Sequence, residues 1–379
     1  MTNLTELSQY RKQTHHSTTH RRRQNFYALP KRHQDVLNRP EIALLNTLSS
    51  IDDAIDDNAD IADAILEQAL ATLDLPENPE ANTPQDWRDK ARPLDLNKAH
   101  STLKQFWRDW SVQGFELEVK PILNLVTSDL ESFSTFRRSD IKALLPGAGL
   151  GRLLFELCLA GYSVEGNEIS YHQLLASNWI LNTTQRANQY KLYPFINSFN
   201  NHISRSNQLR CVTIPDIHPA TAMAEQLQQG REMGDMNMTA GDFITSYGTS
   251  SSAGTFNAVV TLYFVDTAPN LLRYIETISS CLIVGGIWIN IGPLLWHFED
   301  RPFDEKSEIP LNSPGGIDAP GSFELTDQEV LEVVSKMGFT ILSHEILPAS
   351  IGGYIQDPES MMASAYRCSH WIARKNGEA

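Results

Sequence analysis

Ile141-Lys-Ala-Leu-Leu-Pro-Gly-Ala-Gly-Leu-Gly-Arg-Leu-Leu-Phe-Glu-Leu-Cys158, continued by Tyr162-Ser-Val-Glu-Gly-Asn-Glu168, is the stretch whose reading decides the fold. Ile141, Ala143, Leu144 and Leu145 form an apolar run of the kind that makes a buried parallel strand. Pro146 to Gly151 supply a glycine-rich turn, and Leu153, Leu154, Leu157 and Cys158 then recur at helical spacing. A second strand is predicted at Tyr162 to Val164. Glu168 lies past its end, about 20 residues after the first glycine, where a nucleotide-binding βαβ unit places the acid for the ribose hydroxyls. An ordinary strand-to-helix turn would also need glycine for its conformation. The agreement of strand, turn, helix and distant acid favours a cofactor cradle on a Rossmann-like α/β sheet.

The glycine spacing narrows the cofactor. Gly147, Gly149 and Gly151 form G-x-G-x-G, whereas a dinucleotide fingerprint wants glycine or alanine at 152, where this chain has Arg152. The pattern resembles the first motif of class I methyltransferases, whose small residues let the backbone approach S-adenosylmethionine.

Composition bounds the remaining possibilities. With 379 residues, 41% of them hydrophobic, the chain can bury a substantial core in one large domain or two smaller ones. A net charge of −15 argues against a nucleic-acid surface, which needs clustered Lys and Arg. The basic cluster Arg21-Arg22-Arg23, with Lys31-Arg32, reads as a solvated face. Cys158, Cys211, Cys281 and Cys368 are far apart and form no C-x-x-C pair, as expected of reduced intracellular cysteines. Neither a signal peptide nor a membrane span is indicated. The expected compartment is the cytoplasm, with the nucleus as a second address.

Residues 1 to 37 are polar, and His15, His16 and His20 are expected on a solvated helix rather than at a metal. From Pro40 to Leu73 the pattern is helical, with Ile51, Ile55, Ile65 and Leu70 on the apolar face. Asp52-Asp53-Ala-Ile-Asp56 matches a magnesium-binding D-D-x-x-D in form, but no second acidic motif accompanies it, so these acids are expected to face water and no metal site is assigned. Residues 75 to 97 read as a linker. On the helix predicted over 101–114, Gln105 and Arg108 share a face. Arg108 is either an exposed packing residue or a bidentate partner for a carboxylate.

Tyr171 to Asn182 is a crossover helix, Leu209 to Ile214 a further strand, and 220–237 a polar excursion. Met238 to Phe243 reads as a strand end closing on Asp242, which either accepts from an adenine amino group, with the Phe243 N–H serving a ring nitrogen, or caps a helix. Phe256 to Asp266 reads as one apolar strand ending in a carboxylate. Asp266 then either points to the reacting centre or caps the next helix, Leu271 to Leu282. His297 falls just past the strand beginning at Gly285. Residues 301–322 read as a surface loop or lid, Thr326 to Met337 as a helix, and Phe339–Leu347 with Ala365–Arg374 as a closing hairpin.

Ser101-Thr-Leu-Lys-Gln-Phe-x-Arg-Asp-Trp-Ser111, Pro146-Gly-Ala-Gly-Leu-Gly-Arg152, Gly166-Asn-Glu168, Lys191-Leu-Tyr-Pro194, Met238-Thr-Ala-Gly-Asp-Phe243, Asp266-Thr-Ala268 and Gly285-Gly-Ile-Trp-Ile-Asn-x-Gly-Pro-Leu-Leu-x-His-Phe-Glu299 together resemble the carnosine N-methyltransferase family. The resemblance runs from around residue 20 to the C-terminus. It implies a seven-stranded class I methyltransferase domain over 136–379 behind a helical N-terminal region, 1–135, and methyl transfer from S-adenosylmethionine to an imidazole nitrogen of carnosine, giving anserine. By the same resemblance Gln105, Arg108, Gly147, Gly149, Gly151, Glu168, Asp242, Phe243 and Leu262 surround the cofactor, and Asp266, His297 and Tyr366 contact the imidazole. Leu262 replaces a cysteine of the animal members, and Ser364 and Ala365 replace tyrosines. The expected partner is a small imidazole compound, not nucleic acid or membrane, and a homodimer is one assembly that the N-terminal helices could make. Methylation of a protein histidine or another small amine, and a non-catalytic cofactor-binding scaffold, are the competing readings.

Overall fold

Ala143, Leu144 and Leu145 sit on a strand with a partner on each side, and they are buried because their alternating side chains pack into two apolar clusters. In the computed structural model, which describes residues 2–81, 83, 85–88, 96–133, 137–299 and 323–377, the chain divides into two compact units. One comprises 1–115, 175–220 and 355–364, and the other 116–174, 221–354 and 365–379.

Among the described residues nine strands are formed: β1 Lys142–Pro146, β2 Ser163–Glu168, β3 Tyr190–Leu192, β4 Val212–Ile214, β5 Met236–Ala240, β6 Phe256–Leu262, β7 Leu282–Gly292, β8 Phe339–Ile346 and β9 Ser369–Lys375. The second unit holds a seven-stranded sheet in the order β5-β2-β1-β6-β7-β9-β8. The first five are parallel, and β9 runs antiparallel to both of its neighbours. This is the seven-stranded Rossmann-like arrangement expected of a class I methyltransferase. From β1 the chain winds outward through β2 to β5, and from β6 it winds the other way. The crevice at the carboxyl ends of β1 and β6 is therefore the switch point at which open α/β sheets bind ligands.

Several elements differ from the sequence reading. β2 extends through Glu168 rather than stopping at Val164, because Val164 to Glu168 is laddered on one side to β1 and on the other to β5. β6 stops at Leu262, four residues short of Asp266, and a 3-10 turn at Val265–Thr267 follows. Part of the polar excursion is a helix, Pro219–Gln228. The helix Lys120–Phe133 lies with the sheet unit, so the division does not follow a cut after residue 135. Its Ile122, Val126 and Leu130 share one apolar cluster with Ala143, Leu145, Ile287 and Ile289 of the sheet. The capped helix is as expected, Asp327–Lys336 with a Thr326–Glu329 capping box. The lid reading at 301–322 and much of the proposed linker fall outside the described residues.

The helical unit carries more packing than its polar composition suggests. Leu4, Leu7, Tyr10 and Phe26 are buried, and the helix Thr2–His15 is held to the helix Leu44–Thr72 by ion pairs. Arg11 reaches Asp56, Asp60 and Asp63 at 2.7, 2.8 and 2.9 Å, and His15 bridges Asp52 and Asp56 at 2.9 and 3.0 Å. Of the D-D-x-x-D acids, Asp52 and Asp56 are thus ion-pair partners, while Asp53 faces water as expected. A separate two-stranded ladder, β3 with β4, completes this unit.

A charged clamp fastens the edge of the main sheet. His370, 5% exposed on β9, places Nε2 2.8 Å from Asp129 Oδ2 on the helix Lys120–Phe133 and Nδ1 3.1 Å from Glu345 Oε1 on β8. Burial alone lowers a histidine pKa. Here the two carboxylates more than reverse it, so the folded-state pKa lies above the ordinary value of about 6.5. The clamp's contribution is fully present below about pH 6.5 and is lost as pH rises through the raised folded value. The thermal midpoint of the native chain should therefore fall as pH rises through that range. His370→Gln should flatten the dependence, at roughly 2–4 °C per kcal/mol lost. Parallel melting series of the two proteins check this, and equal slopes would exclude the clamp.

Candidate active site

The turn after β1 is built for close approach. Gly147, Gly149 and Gly151 take φ of 71, 58 and 77°, the left-handed region that side chains resist. At Gly147 there is a second constraint, since a Cβ there would lie 2.9 Å from the Phe264 ring, which comes from the segment after β6. The exits of β1 and β6 thus touch. The Gly147 and Ala148 N–H groups donate to Asn167 O at 2.8 and 3.0 Å, tying the turn to β2.

Glu168 ends β2 at 6% exposure. Its Oε2 accepts the Gly149 N–H at 3.0 Å and its Oε1 accepts the Ser170 N–H at 2.8 Å. Burial pushes its pKa up, and these backbone donors pull it part of the way back. A fixed carboxylate beside a glycine turn, with a lone pair left on each oxygen, suits a vicinal diol. Arg152, the residue that breaks the dinucleotide pattern, is buried and paired with Glu156 at 2.8 Å. The cradle fits a nucleoside-type cofactor.

Asp242 caps the short helix Phe243–Tyr247, its Oδ1 accepting the N–H and hydroxyl of Thr245 at 2.9 and 3.0 Å. Phe243 is buried, edge-on to Phe264 with ring centroids 5.5 Å apart. Leu262, half-buried, is the last residue of β6.

Asp266 is 2% exposed within its 3-10 turn. Oδ2 accepts the Leu295 N–H at 2.8 Å, and its backbone carbonyl accepts the His297 N–H at 3.1 Å. The exit of β7 is thereby stitched to the exit of β6. Oδ1 is buried and has no hydrogen-bond partner. Leaving such an atom unmatched costs about 1–3 kcal/mol, more for a charge, so one at a strand exit is a candidate to be completed by a ligand, an ion or water. Burial pushes the Asp266 pKa up, against the lowering effects of the Leu295 N–H and of His297. The His297 side chain is exposed.

Tyr366 is half-buried and joins an aromatic group that the sequence reading did not single out. The ring of Tyr263 lies 5.2 Å from that of Tyr354 and 6.4 Å from that of Tyr366. The available signal was an aromatic residue between Leu262 and Asp266. Gln105 and Arg108 belong to the helical unit. Gln105 is 5% exposed, with its Oε1 buried and without a hydrogen-bond partner. Arg108 already holds a carboxylate, that of Asp109, at 2.6 Å.

Comparison with known proteins agrees with this geometry. The family model for carnosine N-methyltransferase matches residues 85–377. The carnosine N-methyltransferase of Schizosaccharomyces pombe is 36% identical over 95% of this chain and 91% of its own length. That of Mus musculus is 34% identical over 95% of this chain and 82% of its own. The Drosophila melanogaster protein named carnosine N-methyltransferase unmet is 37% identical over 75% of this chain and 56% of its own. With the glycine turn, the buried Glu168 and the Asp266 turn in place on a seven-stranded sheet, the chain belongs to the carnosine N-methyltransferase family.

Proposed function

We propose that this chain is an S-adenosylmethionine-dependent N-methyltransferase that acts on the imidazole ring of carnosine, giving anserine. Family membership supports the activity, and one observation carries the chemistry, namely the unpartnered, buried Oδ1 of Asp266. An imidazole acceptor is the reading that this atom fits best, because a neutral imidazole brings one N–H to satisfy it, and family membership is what points to carnosine.

S-adenosylmethionine supplies a methyl group activated on sulfonium. Glu168 and the Gly147–Gly151 turn would hold its nucleoside end, Asp242 and Phe243 would serve its adenine, and Leu262 would lie beside it. The remaining steps fall to the protein. Asp266 Oδ1 accepts the imidazole N–H, which fixes the tautomer so that the other ring nitrogen presents its lone pair. Transfer to that nitrogen would form the N–CH3 bond at the expense of the cofactor's sulfur–carbon bond. Positive charge develops on the ring beside the Asp266 carboxylate, and the ring N–H proton then passes to it and on to solvent. Tyr366 and His297 orient the ring, and positioning supplies much of the rate.

Asp266 must be ionised to do this. Its pKa is raised by burial, so turnover should fall with acidification at a higher pH than an ordinary aspartate, of pKa about 3.9, would allow. Asp266→Asn should lower kcat at least about 100-fold while cofactor affinity stays within about 2-fold. The variant should melt no lower than the native chain, because it removes a buried charge that lacks a partner on Oδ1. Steady-state rates with carnosine, calorimetry with S-adenosylhomocysteine and a thermal melt test all three. Unchanged turnover would remove Asp266 from the reaction. Gly147→Ala, which drives a methyl into the Phe264 ring at a left-handed backbone position, should weaken S-adenosylhomocysteine binding by about 10-fold in the same calorimeter.

A further inference from the structure

The apolar run of β6 continues through Phe264 in sequence, yet the strand stops at Leu262. What stops it is Tyr263, which takes φ of 51°. A bulky residue in the left-handed region is strained, and such strain gathers where a site over-determines the backbone. The neighbouring strand accommodates it. The Tyr263 N–H donates to Ile291 O at 2.9 Å, and a Cβ on Gly292 would lie 3.2 Å from both Tyr263 N and Cα.

The twist aims one side chain at two places. The Tyr263 ring packs on Tyr354 at 5.2 Å and on Tyr366 at 6.4 Å, with ring planes inclined by 52° and 61°. Its hydroxyl donates to Gly353 O at 3.4 Å and lies 3.6 Å from Cys368 Sγ. The stretches around 353 and 366 are also joined directly, through the Tyr366 N–H and Gly352 O at 3.0 Å. Tyr263 therefore touches both stretches. It stands three residues before Asp266, whose open carboxylate oxygen marks where the acceptor ring sits.

We infer that Tyr263 is a positioning residue for the methyl acceptor, its strained backbone setting the rings of Tyr354 and Tyr366 against the imidazole. This rests on the proposed contact between Tyr366 and that ring. The aromatic faces favour a ring that becomes cationic during transfer, so the effect belongs to the acceptor and not to the cofactor.

Tyr263→Gly is the informative variant, because glycine accepts the left-handed backbone without strain while the ring is removed. Tyr263→Phe keeps the ring, and Tyr366→Leu tests the contact on which the inference rests. KM for carnosine and kcat, S-adenosylhomocysteine affinity by calorimetry and the thermal midpoint are measured for each. Tyr263→Gly should raise KM for carnosine by about 10-fold with cofactor affinity within about 2-fold and no loss of thermal stability. Tyr263→Phe should stay within about 3-fold of the native chain. An unchanged KM in Tyr263→Gly, a parallel loss of cofactor affinity, or equal damage from Tyr263→Phe would each overturn the inference while leaving the methyltransferase reading intact. An unchanged KM in Tyr366→Leu would overturn the contact beneath it, and the inference with it.

Discussion

Phe264 occupies the place where a side chain on Gly147 would be, and the rest of the site depends on that contact. It joins the exit of β1, where the cofactor turn begins, to the exit of β6, where the Asp266 turn begins. A parallel sheet that winds both ways from its centre leaves a crevice at this point, and filling its floor with one aromatic ring brings the two half-sites together. The backbone bonds from Leu295 and His297 to Asp266 then draw in the exit of β7. Together with the Tyr263 N–H to Ile291 O bond, these contacts tie three neighbouring strand ends to one another.

Within that frame the two carboxylates are treated differently. Glu168 has a backbone donor on each oxygen and is held as a fixed acceptor. Asp266 has a backbone donor on one oxygen and none on the other. Both are pushed toward the neutral form by burial, but only Asp266 keeps an unmatched atom for a ligand to complete. The proposed division between cofactor binding at Glu168 and chemistry at Asp266 rests on that asymmetry. The strained φ of Tyr263 and of Trp296, 51° and 46°, falls on either side of Asp266 in the strand exits that frame it.

Much of this was legible in the sequence. The glycine turn, the acid about 20 residues on and the apolar strands followed from spacing and period alone, since each depends on local chemistry. The family motifs implied a seven-stranded domain and an acceptor role for Tyr366, and Asp266 stood out already as the carboxylate closing an apolar run. The end of β6 was not legible, because Tyr263 and Phe264 continue an apolar strand pattern and only the ladder to β7 and the packing of the tyrosines turn the backbone there. The long-range salt bridges were hidden for a similar reason. His15 with Asp52, and His370 with Asp129, are 37 and 241 residues apart, and a row of acids reads as solvated until its partner helix is known. A helical region drawn as 1–135 takes in the helix Lys120–Phe133, whose apolar face belongs to the sheet.

The central claim is that Asp266 Oδ1 receives the imidazole N–H of the acceptor. Nuclear magnetic resonance of carnosine labelled with nitrogen-15 in the ring, bound to the protein with S-adenosylhomocysteine, observes that hydrogen bond directly. The account predicts a single tautomer, with one nitrogen protonated and its proton shifted downfield, and loss of that shift in Asp266→Asn. A bound ring that keeps the tautomer mixture of free carnosine, or the same spectrum in both proteins, would contradict it.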